Sequence, residues 1–316
     1  MGKMISMEEN RDLLMKWEIL KVAKKKMLVF IIVIIIILMV CLGCFFRYSY
    51  LNKATSKDKD IIRSSVPTVF VHGSGSSYHA EQQMANYAKL NGVTNTIVRA
   101  NVSRSGKVTW IGNSIKKDAQ NPIIEVNLVN NKSVSARATN QAPALDKSSI
   151  YIKDVLISMQ KKYHFTKVNL VGHSMGNLQI AYYLCNNTTN IKLPKLQKQV
   201  SIAGHYDGYI GELNSPKKVS LNHEGRPNKM DTGYRGILSL REKFPSNARV
   251  LNIYGNTGGG SDGSVTTASA KSYRYLVSAR ARSYQEKEIY GEKAQHSNLH
   301  ENIEVDRILV KFLWGK

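Results

Sequence analysis

The residues Gly172-His173-Ser174-Met175-Gly176 set one hydroxyl between two glycines. Lys167-Val168-Asn169-Leu170-Val171 reads as a short strand before them, and residues 177–184 are apolar and helix-compatible after them. G-x-S-x-G by itself is a loose pattern. Its chemical meaning comes from a sharp strand-to-helix turn that exposes the serine hydroxyl. Strand, Gly172, Ser174, Gly176 and helix arrive here in that order, so Ser174 is the candidate nucleophile. A serine needs a base to take its proton and a third group to orient that base.

The acid should follow the nucleophile in the chain and the base should come last. Arg249–Gly255 reads as a strand that runs into a Gly-rich loop containing Ser261-Asp262-Gly263. A carboxylate just past a strand's C-terminal end lies at the sheet edge where ligands bind, so Asp262 is the candidate acid. Two histidines compete for the base, His296 and His300, in Gln295-His296-Ser297-Asn298-Leu299-His300 before the last predicted helix. His296 is favoured, and His300 is read as a helix-start residue or a supporting partner. An oxyanion hole needs two converging N–H groups. Met175 N–H, directly after the nucleophile, is one candidate; Ser74 N–H, in the loop His72-Gly73-Ser74 after an earlier strand, is the other. His72, His173 and His205 are kept as pocket-lining or supporting residues. His205 precedes Asp262 and so breaks the order expected of a base.

Other chemistries fit less well. The 72–78 loop fails G-x-G-x-x-G and no Gly-Lys-Ser/Thr follows it, so it is no phosphate cradle. H-E-x-x-H is absent, and the single cysteine after residue 46, Cys185, rules out a Cys-based metal site. No metal and no cofactor is expected. Cys185 follows an apolar stretch and reads as a small buried hydrophobe.

These residues need a scaffold. Residues 66–71, 96–100, 167–171, 199–204 and 249–255 read as strands, with helices predicted over 80–90, 146–162, 177–184 and 305–314. Alternating strands and helices predict a mainly parallel sheet covered on both faces. Residues 101–135 depart from that alternation. Val108–Ile111 and Ile123–Val129 are read as a β-hairpin insertion at a sheet edge. The Gly- and charge-rich stretch 205–243 is a candidate cap or lid.

The first 64 residues have a different character. Residues 1–26 are polar and end in Lys21, Lys24, Lys25 and Lys26, and residues 27–46 are apolar and uncharged. About 20 such residues span a hydrocarbon core of about 30 Å, which predicts a transmembrane helix. A cleaved signal peptide should be shorter and followed by small residues, whereas Phe45-Phe46-Arg47 follows here. A lipoprotein reading at Cys44 is disfavoured by Cys41, where an aliphatic residue is wanted. Lysines before the span predict a cytoplasmic N-terminus, a stalk over 47–64 and a domain over 65–316 outside the cell. The formal charge of +22 favours anionic envelope components as partners. Scattered basic residues without a reader motif speak against nucleic acid.

Val69-Phe70-Val71-His72-Gly73, Val171-Gly172-His173-Ser174-Met175-Gly176, Ser261-Asp262-Gly263 and His296-Ser297-Asn298-Leu299-His300-Glu301-Asn302 together resemble a family of α/β hydrolases of unknown function. These are candidate cell-surface hydrolases of Gram-positive bacteria, related to small bacterial lipases. The resemblance covers roughly residues 64–315. It implies an α/β-hydrolase fold with a Ser-Asp-His triad at Ser174, Asp262 and His296, and the hairpin insertion also looks typical of the group. It implies no substrate. The expected activity is hydrolysis of a small-molecule or lipid ester through an acyl-enzyme. Amide hydrolysis by the same residues and a non-catalytic surface-binding protein on this scaffold are the alternatives.

Overall fold

The computed structural model describes residues 7–56, 60–135 and 137–316. The chain divides between residues 56 and 57 into two units. The first is one helix, α1 (Met7–Ser56). Within it the 20-residue segment Lys24–Gly43 contains an 18-residue window of mean hydropathy 3.1, long and apolar enough to cross a membrane. The helix continues through most of the predicted stalk. Residues 1–6 of the predicted N-terminal segment, 57–59 of the stalk and 136 lie outside the described residues. Residues 60–64 depart from the stalk reading, because they belong to the second unit and bond within it. Ile62 N–H donates to the Trp314 carbonyl, Ile61 bridges to Gly315, and the Ser64 carbonyl accepts from Asn121 N–H.

The second unit is built on β1 (Thr68–Val71), β2 (Ile97–Val102), β3 (Val108–Ile111), β4 (Ile123–Leu128), β5 (Lys167–His173), β6 (Lys195–Ile202), β7 (Arg249–Asn256) and β8 (Ser283–Tyr290). Their order in the sheet is β3-β2-β4-β1-β5-β6-β7-β8, and every pairing is parallel except β2 with β3. The longer helices are α2 (His79–Leu90), α3 (Ala142–Tyr163), α4 (Met175–Asn187) and α9 (Ile303–Trp314). Four short ones complete the set: α5 (Thr232–Gly236), α6 (Leu240–Lys243), α7 (Thr267–Lys271) and α8 (Tyr273–Val277).

Alternate residues of the central strands feed two separate cores. Val69 and Val71 of β1, with Ile124 and Val126 of β4, pack with Ile152, Leu156 and Leu178 from α3 and α4. Phe70 and Ile123 point the other way, to Met84 and Ala85 of α2 and Leu309 of α9. A parallel strand buried on both faces reads as a continuous apolar run, and β1 does.

Three readings need correction. The 101–135 hairpin is differently paired: β3 turns back on β2, Arg99 opposite Ile111, while β4 lies inside the sheet between β2 and β1. Ile123-Ile124-Glu125-Val126 is buried on both faces, and an edge hairpin could not cover it. The second half of the 205–243 stretch is core rather than lid, since Tyr234, Ile237 and Leu240 are fully buried. The helix predicted over 146–162 begins earlier, at Ala142, and its Ile150 is half exposed. Strand β8 and helices α7 and α8 were not expected at all.

Candidate active site

Every candidate residue stems from the C-terminal ends of neighbouring strands, where loops leave the sheet. β5 ends at His173, and Ser174 takes φ 52° and ψ −123° before α4 begins at Met175. Positive φ at a non-glycine residue costs on the order of 1–3 kcal/mol and persists only where the surroundings impose it. Here Ser174 N–H donates to the Ile202 carbonyl at 3.0 Å, and Asn177 Nδ2 donates to the same oxygen at 2.9 Å. Strand β6 thus clamps the turn from the side. Gly176 lets the start of α4 press against β1, because a Cβ there would collide with the Val71 and His72 carbonyls.

Asp262 lies in the loop after β7, its side chain almost wholly buried. Oδ1 accepts from Ser264 N–H at 2.9 Å and Val265 N–H at 2.6 Å, which leaves Oδ2 to accept from His296 Nδ1 at 2.8 Å. A second tether joins the two loops, since His296 N–H donates to the Asp262 carbonyl at 2.9 Å. His296 opens the 3₁₀ turn His296–Glu301, and its Nε2 stands 3.0 Å from Ser174 Oγ. With Nδ1–H given to Asp262, Nε2 carries the lone pair and accepts the Ser174 proton. The three side chains therefore form one hydrogen-bonded line from carboxyl to hydroxyl.

Ser74 and Met175 both line the cavity in front of Ser174. Gly75 N–H is taken by the Asn131 carbonyl, whereas among the described residues Ser74 N–H donates to no backbone carbonyl. Met175 N–H is the first of α4, a group that a helix leaves without an internal partner. Both amides are thus available to an oxygen of a bound molecule, and the helix end adds partial positive charge.

The remaining histidines take separate places. His72 is a fully buried structural link: Nε2 accepts from Leu128 N–H at 3.0 Å and Nδ1–H donates to the Gly73 carbonyl at 2.9 Å, tying β1 to the end of β4. Burial lowers its pKa. His173 donates Nε2–H to the His296 carbonyl at 3.1 Å, and burial holds it well below the usual imidazole range. It supports the backbone of His296 from beneath. His300 packs edge-on against His173, with ring centres 4.9 Å apart, while the partner of the Ser174 hydroxyl is His296. His205 lines the cavity. Among the described residues no group of three or more His, Cys, Asp or Glu side chains could hold a metal ion.

Sequence reasoning missed Val134, Gln141, Tyr209, Ser264 and Val265, which complete the cavity wall. They come from three loops, after β4, β6 and β7, and only the fold collects them. It also missed Gly255, where a Cβ would run into the Ala294 carbonyl and Asp262 Cβ. That glycine allows the acid and base loops to close over the end of β7.

Residues 55–316 match the model of a family described as an α/β hydrolase of unknown function (DUF915). A solved gene product of Listeria innocua is 23% identical, with a TM-score of 0.67, over 79% of this chain and 94% of its own. A candidate cell surface hydrolase of Lactobacillus plantarum is 19% identical, with a TM-score of 0.61, over 78% of this chain and 89% of its own. At those identities the likeness is one of fold. No curated protein sequence matches the chain significantly.

Proposed function

The chain belongs to this α/β-hydrolase family, and from that premise we propose that it is a serine hydrolase acting on carboxylic esters through an acyl-enzyme. The observation that carries the reading is the unbroken line Asp262 Oδ2, His296 Nδ1, His296 Nε2, Ser174 Oγ, with steps of 2.8 and 3.0 Å across the ring. Ser174 Oγ attacks the ester carbonyl carbon and its proton passes to His296 Nε2. The carbonyl oxygen becomes an oxyanion held by the Ser74 and Met175 N–H groups. His296 then returns the proton to the departing alkoxide as the C–O bond breaks. Water, deprotonated by the same imidazole, releases the acid and restores Ser174. Asp262 holds the tautomer and stabilises the imidazolium that forms on the way.

The reading extends to location. Lys24–Gly43 anchors the chain in a membrane, and Lys21 with Lys24, Lys25 and Lys26 at its N-terminal end hold the N-terminus on the cytoplasmic side, with the hydrolase domain outside. The candidate cell surface hydrolase among the fold relatives is consistent with this placement.

Fluorophosphonate labelling tests the chemistry. The wild-type chain should be labelled and Ser174→Ala should not; an unlabelled wild type would sink the serine-hydrolase reading. For the anchor, the intact chain should pellet with membranes and be released by detergent, and recovery in the detergent-free soluble fraction would refute it.

A further inference from the structure

The cavity before Ser174 measures about 240 Å³. Ligand sites commonly run from about 300 to 1,000 Å³, so this one lies below the small end of that range. It suits a small acyl group better than a long chain. Its wall is mixed, with Ser74, Gln141, His205, Tyr209 and Ser264 set among Val134, Met175 and Val265.

His205 stands out among these. Its residue is more than nine-tenths buried, yet its ring nitrogens bond to no protein group among the described residues and are not sealed inside the core. The chain bends to bring it there. After β6, Ala203 takes φ 50°, a left-handed conformation that costs an L-residue roughly 1–2 kcal/mol, while its N–H is fixed to the Ile253 carbonyl at 2.9 Å. The ring packs edge-on against Tyr209, centres 5.1 Å apart at 82°. Burial pushes His205 down to about 3, so the imidazole is neutral at working pH and offers one N–H donor and one acceptor. A group held this firmly, close to the reacting atoms and without a protein partner, is built to be satisfied by something that enters.

We infer that His205 is a specificity-determining residue that hydrogen-bonds the acyl part of the substrate, and that the site prefers esters of short acids bearing a hydroxyl. This rests on the serine-hydrolase reading above. An alkyl acyl group would leave the buried imidazole unpaired, whereas a hydroxyl near the carbonyl would satisfy it.

The detergent-solubilised full chain should be assayed with 4-nitrophenyl butyrate, its 2-hydroxy and 3-hydroxy analogues, and the decanoate. One neutral hydrogen bond predicts that the better hydroxy ester exceeds butyrate about tenfold in kcat/KM, with decanoate poorest. His205→Leu should bring the hydroxy-to-butyrate ratio close to one, and His205→Gln, which keeps a donor and an acceptor, should retain part of it. Fluorophosphonate labelling of each variant verifies that Ser174 is still assembled. A ratio near one in a labelled wild type, or an unchanged ratio in labelled His205→Leu, overturns the role of His205 alone. If the wild type neither labels nor turns over any ester, the hydrolase reading has failed and this inference falls with it.

Discussion

Asp262 divides its two oxygens between different tasks, and that division makes it the sharpest probe at the scale of single residues. Oδ1 closes its own loop through Ser264 and Val265, while Oδ2 orients His296. In Asp262→Asn the amide oxygen can keep the loop, so the amide nitrogen faces His296. A donor there forces the proton onto Nε2, and the imidazole can no longer accept from Ser174. We expect kcat for ester hydrolysis to fall about 10⁴-fold with little change in the melting temperature. Equal losses of activity and stability would mean that Asp262 is chiefly a loop residue. Ser174, Asp262 and His296 were legible because the order nucleophile, acid, base survives in a linear chain. Val134, Gln141 and Tyr209 were not, since each reaches the cavity only through the folding of loops far apart in the sequence.

Among the elements, legibility tracked burial on both faces. Strands β1, β5, β6 and β7 were readable as apolar runs, whereas β8, Ser283–Tyr290, is a sheet-edge strand rich in Glu and Lys. Edge strands carry charge to discourage pairing with other chains, and that hides them from a hydrophobicity reading. Pairing was harder still: β3 and β4 were both recognisable as strands, but their partners depend on which surface must be covered. The close approach at the end of β7 yields a prediction of this scale. Gly255→Ala would push a methyl into the Ala294 carbonyl and Asp262, prising the acid loop from the base loop. It should cost about 1–3 kcal/mol in a thermal melt and suppress fluorophosphonate labelling. Normal labelling would show that the two loops adjust independently.

The segment after β6 carries a second prediction of this scale. Burial raises Asp207 from 3.8 to about 7, and its Oδ2 has no hydrogen-bond partner among the described residues. A carboxyl whose pKa is raised on folding contributes its stability fully below its unfolded value. That stability is lost as pH climbs from about 4 through about 7, because the unfolded chain releases the proton first. Asp207→Asn removes this loss while its amide oxygen can still accept from Asp231 N–H, the bond that Oδ1 makes at 2.8 Å. The variant should therefore melt several degrees above wild type at pH 8 and gain much less at pH 5. A gain independent of pH would place the effect in packing rather than in proton linkage.

At the scale of the whole molecule, the proposed membrane attachment would rest on two forces of different kind. Residues 1–56 hold nine of the 45 basic and four of the 23 acidic residues, which leaves the rest of the chain with a formal charge of +17. As a membrane anchor, the apolar Lys24–Gly43 segment would be held by the hydrophobic effect, which salt does not screen. The charge of the hydrolase unit attracts anionic surfaces, and that attraction decays over about 10 Å at 0.1 M salt and about 3 Å at 1 M. Salt and detergent should therefore separate the two. The second unit has its own two-sided core, so a chain starting at residue 57 should remain soluble and react with a fluorophosphonate. At low salt it should sediment with vesicles containing phosphatidylglycerol but not with phosphatidylcholine alone, and 1 M NaCl should release it. The full chain in the same vesicles should stay bound in 1 M NaCl and leave only with detergent. Equal sedimentation of the truncated chain with neutral and anionic vesicles would rule out charge as the second attachment. Release of the full chain by salt would remove the anchor and leave charge as the sole hold on the membrane.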